Sequence, residues 1–372
     1  MAKISGRPSS PSMRRLTVRK AIAEHRSQER QRQAQAEAVK ENLKNRTLAK
    51  LHEKQNALRE ERDGIEEIVA SSYKPRSTFL RRDSVVNFRE SRQERFVSSL
   101  SANLNVMIQA VQRAGRGLVR DFGELENLQV SQKGAADFAS TADTTAERVL
   151  REYLQKARPG YGFLQEESGE IKGTDTAHRW IVDPLDGTMN FLHAVPHFSI
   201  SLALQQDKEI IAGVVYNPVT ADLFYAEKGF GAWAMTSSGS VRLHVSNRTK
   251  LNESLVVTGI PHLGHGTPDR FIRQLTPFMT RAGGVRRMGS AALDLAYVAA
   301  GRFDCYWEEG IKLWDIAAGM LLVREAGGRL CTVDGDESLS GLMAAGSIVA
   351  TNALQYEVFK KIISDASKPV VS

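Results

Sequence analysis

Trp180-Ile181-Val182-Asp183-Pro184-Leu185-Asp186-Gly187-Thr188-Met189-Asn190-Phe191 is the stretch on which the fold turns. Its first three residues form a short apolar run and read as a strand. Asp183 then sits at the strand's C-terminal end, where ligands bind in α/β sheets. Pro184 disfavours helix at the residue before it and predicts a turn. A turn lets two carboxylates three residues apart converge on one point. Hard cations such as Mg²⁺ take such oxygen ligands and keep waters that a phosphate can replace. Gly187 lets backbone approach a ligand closely. Backbone N–H groups at Gly187 and Thr188 form an anion site if they open a helical turn. An Asp-Pro turn followed by a helix-capping Asp is the plain alternative.

Outward from this stretch, the pattern on either side predicts alternating elements. Upstream, Leu104, Met107, Ile108, Val111 and Ala114 recur at helical spacing, which predicts an amphipathic helix to about Asp121. A second helix is predicted from about Thr141 through Leu154, and a strand over Tyr161–Leu164. Downstream, 197–205, 209–216 and 223–227 read as a meander with turns at Gln206-Asp207 and Asn217-Pro218. The second half alternates, with strands near 255–259, 285–288, 303–308 and 347–351. Helices near 268–282, 291–300, 316–326 and 354–366 lie among them. This order argues for layered α/β or α+β sheets with helices between them.

Three further stretches carry acidic groups at the ends of these elements. Gln165-Glu166-Glu167-Ser168 closes the Tyr161–Leu164 strand, where adjacent carboxylates commonly just face water. Trp314-Asp315-Ile316-Ala317-Ala318-Gly319 opens a strongly apolar helix, for which Asp315 is a natural N-cap. Lys133, Asp137, Thr141 and Asp143 lie on a polar stretch running into a helix. Each has an ordinary structural reading. Together they make a constellation of carboxylates at strand ends and helix starts, with no nucleophilic Ser or Cys motif. His193 and His197 have no His-x-x-x-His or Cys partner, so zinc is disfavoured, and oxygen-only ligands favour Mg²⁺ or Mn²⁺.

The charge balance of the 372 residues separates two regions. Net charge is +7, which taken alone suggests an anionic partner such as nucleic acid. Residues 1–96 hold 23 Lys/Arg and 13 Asp/Glu, a net +10, so residues 97–372 carry −3. The basic segment has no Trp and poor apolar spacing. It reads as a basic, partly helical or disordered N-terminal extension preceding a catalytic domain at 97–372. Residues 1–23 lack Asp and Glu, as transit peptides do, although a basic tail with no address is favoured. A translation start near Val97 is a third reading. Cys305 and Cys331 form no CxxC, which favours free thiols in a reducing, cytoplasmic setting. No run of 18 apolar residues predicts a membrane span.

Taken in order, the 165–168, 180–191 and 314–319 motifs resemble the inositol monophosphatase family, the Mg²⁺-dependent, lithium-sensitive phosphatases, in its bacterial type. The resemblance covers about 100–366 and not the extension. It implies a layered α/β/α/β/α sandwich of the inositol monophosphatase/fructose-1,6-bisphosphatase type. It also implies a dimer and two or three ions. Glu166, Asp183 and the Leu185 carbonyl would hold one ion, and Asp183, Asp186 and Asp315 a second. Such pairs clamp the attacking and leaving oxygens of an in-line displacement. A metal-activated water is the implied nucleophile, oriented by Thr188 hydrogen-bonded to Asp143 and assisted by Glu166. Lys133 falls in the family's mobile loop. Gly187, Thr188, Arg286, Gly289, Ser290, Ala291 and Glu308 match the substrate-contacting pattern, while Met189 stands where Thr is commoner.

The implied activity is hydrolysis of myo-inositol 1-phosphate and related small phosphates. A nucleotide 3′-phosphatase, a histidinol-phosphate phosphatase and a sugar bisphosphatase are the sister alternatives. Some bacterial relatives bind transcription and RNA-processing machinery, so a binding role through the +10 segment is an alternative of another class. That segment lacks the aromatic interleaving suited to base stacking.

Overall fold

The computed structural model describes residues 100–128, 135–236, 239–261 and 267–368. The N-terminal extension and Lys133 lie outside these residues. Two helices open the described chain, α1 (Ala102–Leu128) and α2 (Ala135–Ala157). Next come β1 (Tyr161–Gln165), β2 (Gly169–Ile171), β3 (Asp175–Asp186) and the short α3 (Thr188–Leu192). The meander β4 (Ser199–Gln206), β5 (Glu209–Asn217), β6 (Asp222–Glu227), β7 (Gly231–Thr236) and β8 (Gly239–Arg242) completes one sheet, ordered β2-β1-β3-β4-β5-β6-β7-β8. The remaining elements are β9 (Leu255–Thr258), α4 (Pro268–Arg281), β10 (Gly284–Arg286), α5 (Ala291–Ala299), β11 (Cys305–Glu309), α6 (Leu313–Glu325), β12 (Arg329–Cys331), α7 (Leu339–Ala344), β13 (Ser347–Thr351) and α8 (Tyr356–Ser367). Their five strands form a second sheet, ordered β10-β9-β11-β13-β12.

Strand alternation sorts side chains into layers. Trp180, Val182, Leu202 and Leu204 pack against Met107, Val111 and Leu118 of α1 and Leu150 and Leu154 of α2. Their neighbours Ile181 and Ala203 face the other way, toward α5 and α6. Those helices also meet Val257, Tyr306, Ile348 and Ala350 of the second sheet. That sheet's far face, with Val256, Cys305, Trp307 and Val349, packs on Phe271 and Phe278 of α4 and Phe359 and Ile363 of α8. The layers therefore run α/β/α/β/α, as expected. Residues 316–323 of α6 are buried without a break, because a helix apolar on all sides belongs between two sheets.

Several bounds differ from the expectation, for legible reasons. Helix α1 runs on to Leu128 because Phe122 and Leu125 continue its buried face. Helix α2 begins at Ala135, so Asp143 lies inside the helix rather than near a cap. Strand β3 extends through Asp186 instead of ending at Val182. The edge strands β2, β8 and β12, the strand β7 beside the edge and the short α7 are not among the expected elements. Cys305 and Cys331 are free and buried, matching the thiol reading. Among the described residues no helix is long and apolar enough to cross a membrane.

Gly213 of β5 lets α6 lie close on the sheet. A Cβ there would stand 3.0 Å from both the Cα and the carbonyl oxygen of Ala318. Backbone cannot yield as a side-chain tip does, so Gly213→Val should push α6 outward. The expected cost is about 1–3 kcal/mol, the usual penalty for overpacking, read as a lowered midpoint of thermal unfolding. Because α6 carries Asp315, the variant should also lose activity beyond its unfolded fraction.

Candidate active site

Asp183 and Asp186 are an odd number of residues apart, and in a regular strand they would point to opposite faces. A bulge corrects this. β3 pairs Asp183 with Ser201 and Asp186 with Ser199 of β4, so a three-residue step on one strand matches a two-residue step on the other. Pro184 sits inside the irregularity, where its missing N–H takes no ladder bond. The Asp183 Oδ1 accepts the Leu185 N–H at 2.9 Å and closes the bulge. Gly187 follows at φ 95°, a conformation suited to glycine, and a Cβ there would meet the Gly289 carbonyl oxygen at 3.0 Å. The turn expected at Asp183-Pro184 is thus a bulged strand end.

Four other elements bring residues to the same place. Glu166 lies in the three-residue loop between β1 and β2, and its N–H donates to the Val182 carbonyl at 3.2 Å. Asp143 comes from α2 and is buried. Carboxylate oxygens of Asp143, Glu166 and Glu167 lie within 4.8 Å of one another. Asp315 occupies the first turn of α6 and accepts the Lys312 N–H at 2.7 Å. It caps from inside the helix rather than as the N-cap itself. Asp186 reaches across to α5, accepting the Ala291 N–H at 3.1 Å, the Ala292 N–H at 2.9 Å and the Ser290 hydroxyl at 2.5 Å. An anion at a helix N-terminus is favoured by the unpaired N–H groups there.

These groups line a cleft of about 360 Å³ that includes Glu166, Asp183, Leu185, Asp186, Gly187, Thr188, Gly289, Ser290, Ala291, Glu308 and Asp315. Asp143 stands beside it, in the trio with Glu166 and Glu167. Glu308 accepts the Tyr306 hydroxyl at 2.5 Å. Its carboxyl occupies the space that a Cβ on Gly259 would fill, so Gly259 makes room for it.

Two expectations differ. Arg286 is exposed, donates to its own neighbour's Val285 carbonyl at 2.9 Å and does not line the cleft, whereas Arg287 does. Arg286 closes β10 and Arg287 is the first residue beyond it, a boundary that the sequence pair does not show. Thr188 donates its hydroxyl to the Leu185 carbonyl at 3.1 Å rather than to Asp143, whose Oδ1 is buried without a hydrogen-bond partner among the described residues.

Other members of the site escaped the motif reading. Asp294 is buried in α5, lines the cleft and stands 3.6 Å from His197. The signal for it was a lone acid in the apolar run Ala291–Ala299. Asn190 donates to the carbonyls of His197 and Met288 at 2.6 and 2.9 Å, tying α3 to the Gly289 loop.

The electrostatics are one-sided. Among the described residues, seven acidic side chains line the cleft against two basic ones, Arg287 and Lys312. Burial, then the charges of Glu166, Glu167 and Glu147, pushes Asp143 up to about 8. Burial, then Asp186, outweighs the Lys312 N–H and pushes Asp315 up to about 8. Asp183 is raised well above the ordinary carboxylate range by burial and by the surrounding Glu166, Asp186, Asp315 and Asp143. Glu166 is raised by burial of its carboxyl, against a lowering contact with Asp183. An all-oxygen donor set, crowded enough to hold protons near neutrality, fits hard divalent cations and does not fit zinc. The orphaned Asp143 Oδ1 is consistent with a cation partner.

A five-layered sandwich with carboxylates gathered at converging strand ends and helix starts defines a class of fold and site already met in known proteins. The chain belongs to the inositol monophosphatase family, whose model matches residues 99–369. It is 54% identical over 263 residues to an inositol-1-monophosphatase of Rhizobium meliloti (strain 1021), covering 71% of this chain and 96% of that protein. It is 41% identical over 262 residues to a protein of Xylella fastidiosa (strain Temecula1 / ATCC 700964) named Nus factor SuhB, covering 68% of this chain and 92% of that one. The crystal structure of the extragenic suppressor protein SuhB from Bartonella henselae superposes with a TM-score of 0.64 at 48% identity, covering 71% of this chain and 98% of that one.

The raised carboxyls have a sign. Each holds its proton more tightly folded than unfolded, so the fold loses stability as pH climbs from the ordinary carboxylate value toward 8. In chelator, the thermal midpoint should fall steadily between pH 5.5 and 8, since each kcal/mol is worth about 2–4 °C at this size. Asp315→Asn should flatten the decline, and a slope unchanged by that substitution would refute the assignment. Millimolar Mg²⁺ should cancel it, because a ligand that binds only the folded chain stabilises it.

Proposed function

We propose that the protein is a Mg²⁺-dependent phosphomonoesterase that hydrolyses myo-inositol 1-phosphate and related small phosphates by direct attack of an activated water. The observation that carries this reading is the excess of acid in the cleft. A phosphate dianion has no reason to enter a site with seven carboxylates and two cationic side chains unless cations occupy it first. Glu166, Asp183, the Leu185 carbonyl, Asp186 and Asp315 are the proposed ligands for two or three Mg²⁺, with Mn²⁺ as a substitute. When bound, the ions supply charge neutralisation, Lewis acidity and a lowered water pKa.

The chain's own residues do the rest. Asp143, acting through Thr188, and Glu166 are the proposed acceptors of the proton of the attacking water. Thr188 orients that water, its hydroxyl turning from the Leu185 carbonyl to Asp143. Gly187 and the Gly289-Ser290-Ala291 loop approach the substrate through backbone, the loop held by Asp186 and Asn190. Glu308, set by Tyr306, meets ring hydroxyls of the leaving group, with Arg287 in place of Arg286 at the rim.

The relative from Rhizobium meliloti, at 54% identity, bears the name of this activity. The proposal places the enzyme in the cytoplasm as a homodimer, with residues 1–96 as an appended extension. The relatives named Nus factor SuhB favour a second reading, a role alongside transcription machinery carried by the same fold.

A panel of phosphomonoesters assayed with Mg²⁺, with and without Li⁺, tests the first reading. Inositol 1-phosphate should lead and Li⁺ should inhibit, while faster turnover of an adenosine bisphosphate would transfer the assignment to a nucleotide phosphatase. Asp186→Asn should cost at least about 100-fold in activity, in line with losing a charged group that acts on the transition state. The fold should be kept with little change in stability, because asparagine caps a helix about as well as aspartate does. Glu308→Ala should change the ranking of substrates and leave the Mg²⁺ requirement in place. Equal effects of the two substitutions on both readouts would refute the division of roles.

A further inference from the structure

We propose that Glu147 is a positioning residue for the cation site, holding the loop between β1 and β2 so that Glu166 presents its oxygens to the cleft. Glu147 lies one helical turn beyond Asp143 on α2, on the same face, and is 2% exposed. Its carboxylate accepts the Glu167 N–H at 3.0 Å and the Ser168 hydroxyl. Arg151, one turn further along α2, donates to the same hydroxyl at 3.3 Å. Residues 166–168 form the whole loop of the β1–β2 hairpin, whose last pair is Gln165 with Gly169. Glu166 is tied to β3 through its own N–H. Glu147 supplies the tie on the other side, so the loop is held at both ends of Glu166.

This arrangement runs against simple electrostatics. A fourth carboxylate beside Asp143, Glu166 and Glu167 adds repulsion, and its charge works against ionisation of both Asp143 and Glu166. An apolar side chain would avoid that cost but leave the Glu167 N–H and the Ser168 hydroxyl without this tie. A carboxylate accepts from two donors at once and aims both, and the repulsion it adds is offset once cations are bound. Groups that orient metal ligands from behind govern metal affinity by about 10–100-fold when removed.

The inference rests on the proposed reading of the cleft as a cation site, and not on which phosphate is hydrolysed. The test measures Mn²⁺ binding by calorimetry on the full chain, beside the Mg²⁺ half-saturation and substrate KM of the phosphatase assay. Glu147→Ala should weaken Mn²⁺ by at least about 10-fold and raise the Mg²⁺ half-saturation in step. The substrate KM at saturating Mg²⁺ should stay unchanged. Glu147→Gln keeps both contacts, with the Ser168 hydroxyl reversing its role, and should bind within about threefold of the parent, below the scale of a lost orienting contact. Should Glu147→Ala fail to fold, Ser168→Ala takes its place and should bind Mn²⁺ more weakly than the parent. Parental Mn²⁺ affinity in a folded Glu147→Ala or Ser168→Ala variant overturns the inference. So does a Glu147→Gln variant as weak as Glu147→Ala, since charge rather than position would then be the cause. A parent chain that binds Mn²⁺ but hydrolyses no phosphomonoester removes the proposed activity and leaves this inference standing.

Discussion

The bulge between Asp183 and Asp186 is the constraint from which the rest of the site follows. An unbroken strand would send one of these carboxylates into the layer of α1 and α2 and the other toward α5 and α6. With a three-residue step facing a two-residue step, both line the same cleft. The correction needs a residue that gives up its ladder bond, which Pro184 supplies, and a local acceptor for the next N–H, which Asp183 supplies with its own side chain. It also delivers Gly187 at positive φ, so that the chain leaves the strand against the Gly289 loop without a Cβ in the way.

Gathering carboxylates has an electrostatic cost that the surrounding structure answers in different ways at each position. Asp186 rests on two N–H groups and a hydroxyl at the start of α5, which pull its pKa down against burial. Asp315 rests on the Lys312 N–H, a smaller correction. Asp143 has no such support at Oδ1, and its proton is correspondingly hard to remove. Anchoring follows the donors at hand and not the helix: Asp186 is well held, whereas Asp143 on α2 and Asp294 on α5 each keep a buried oxygen with no hydrogen-bond partner among the described residues. A buried acid without an internal donor keeps its proton unless a cation balances its charge.

Much of the layer order was legible in the sequence, since strands such as Trp180–Val182 and apolar helices such as Ile316–Ala326 carry their own periodicity. The edge strands were not, because β2, β8 and β12 are three or four residues long and owe their form to a neighbour rather than to pattern. The ligand candidates were legible because Asp, Pro and Gly in close spacing leave few conformations. The residues behind them were not. Glu147 sits on an ordinary amphipathic helix, and nothing in its spacing shows that it bonds a loop 20 residues away. Arg286 is the last residue of β10, paired with Val257 of β9, and Arg287 follows the strand, a boundary the sequence pair does not show.

The two halves of the site belong to different sheets, and Asp186 spans them. Glu166, Asp183 and Thr188 come from the first sheet and its connections, whereas Glu308 and the Gly289–Ala291 loop belong to the second. Between them, Asp186 takes the free N–H groups of α5 on one side and leaves β3 on the other. A carboxylate has four lone-pair positions, so it can cap a helix and still face a cation. The same side chain therefore sets the distance between the group that would hold phosphate and the group that would read the alcohol. Under the proposed reading, substrate preference is tied to the chemical centre through a single capped helix. A change at α5 is then felt at both ends of the cleft, whereas a change at Glu308, carried on β11, is confined to one.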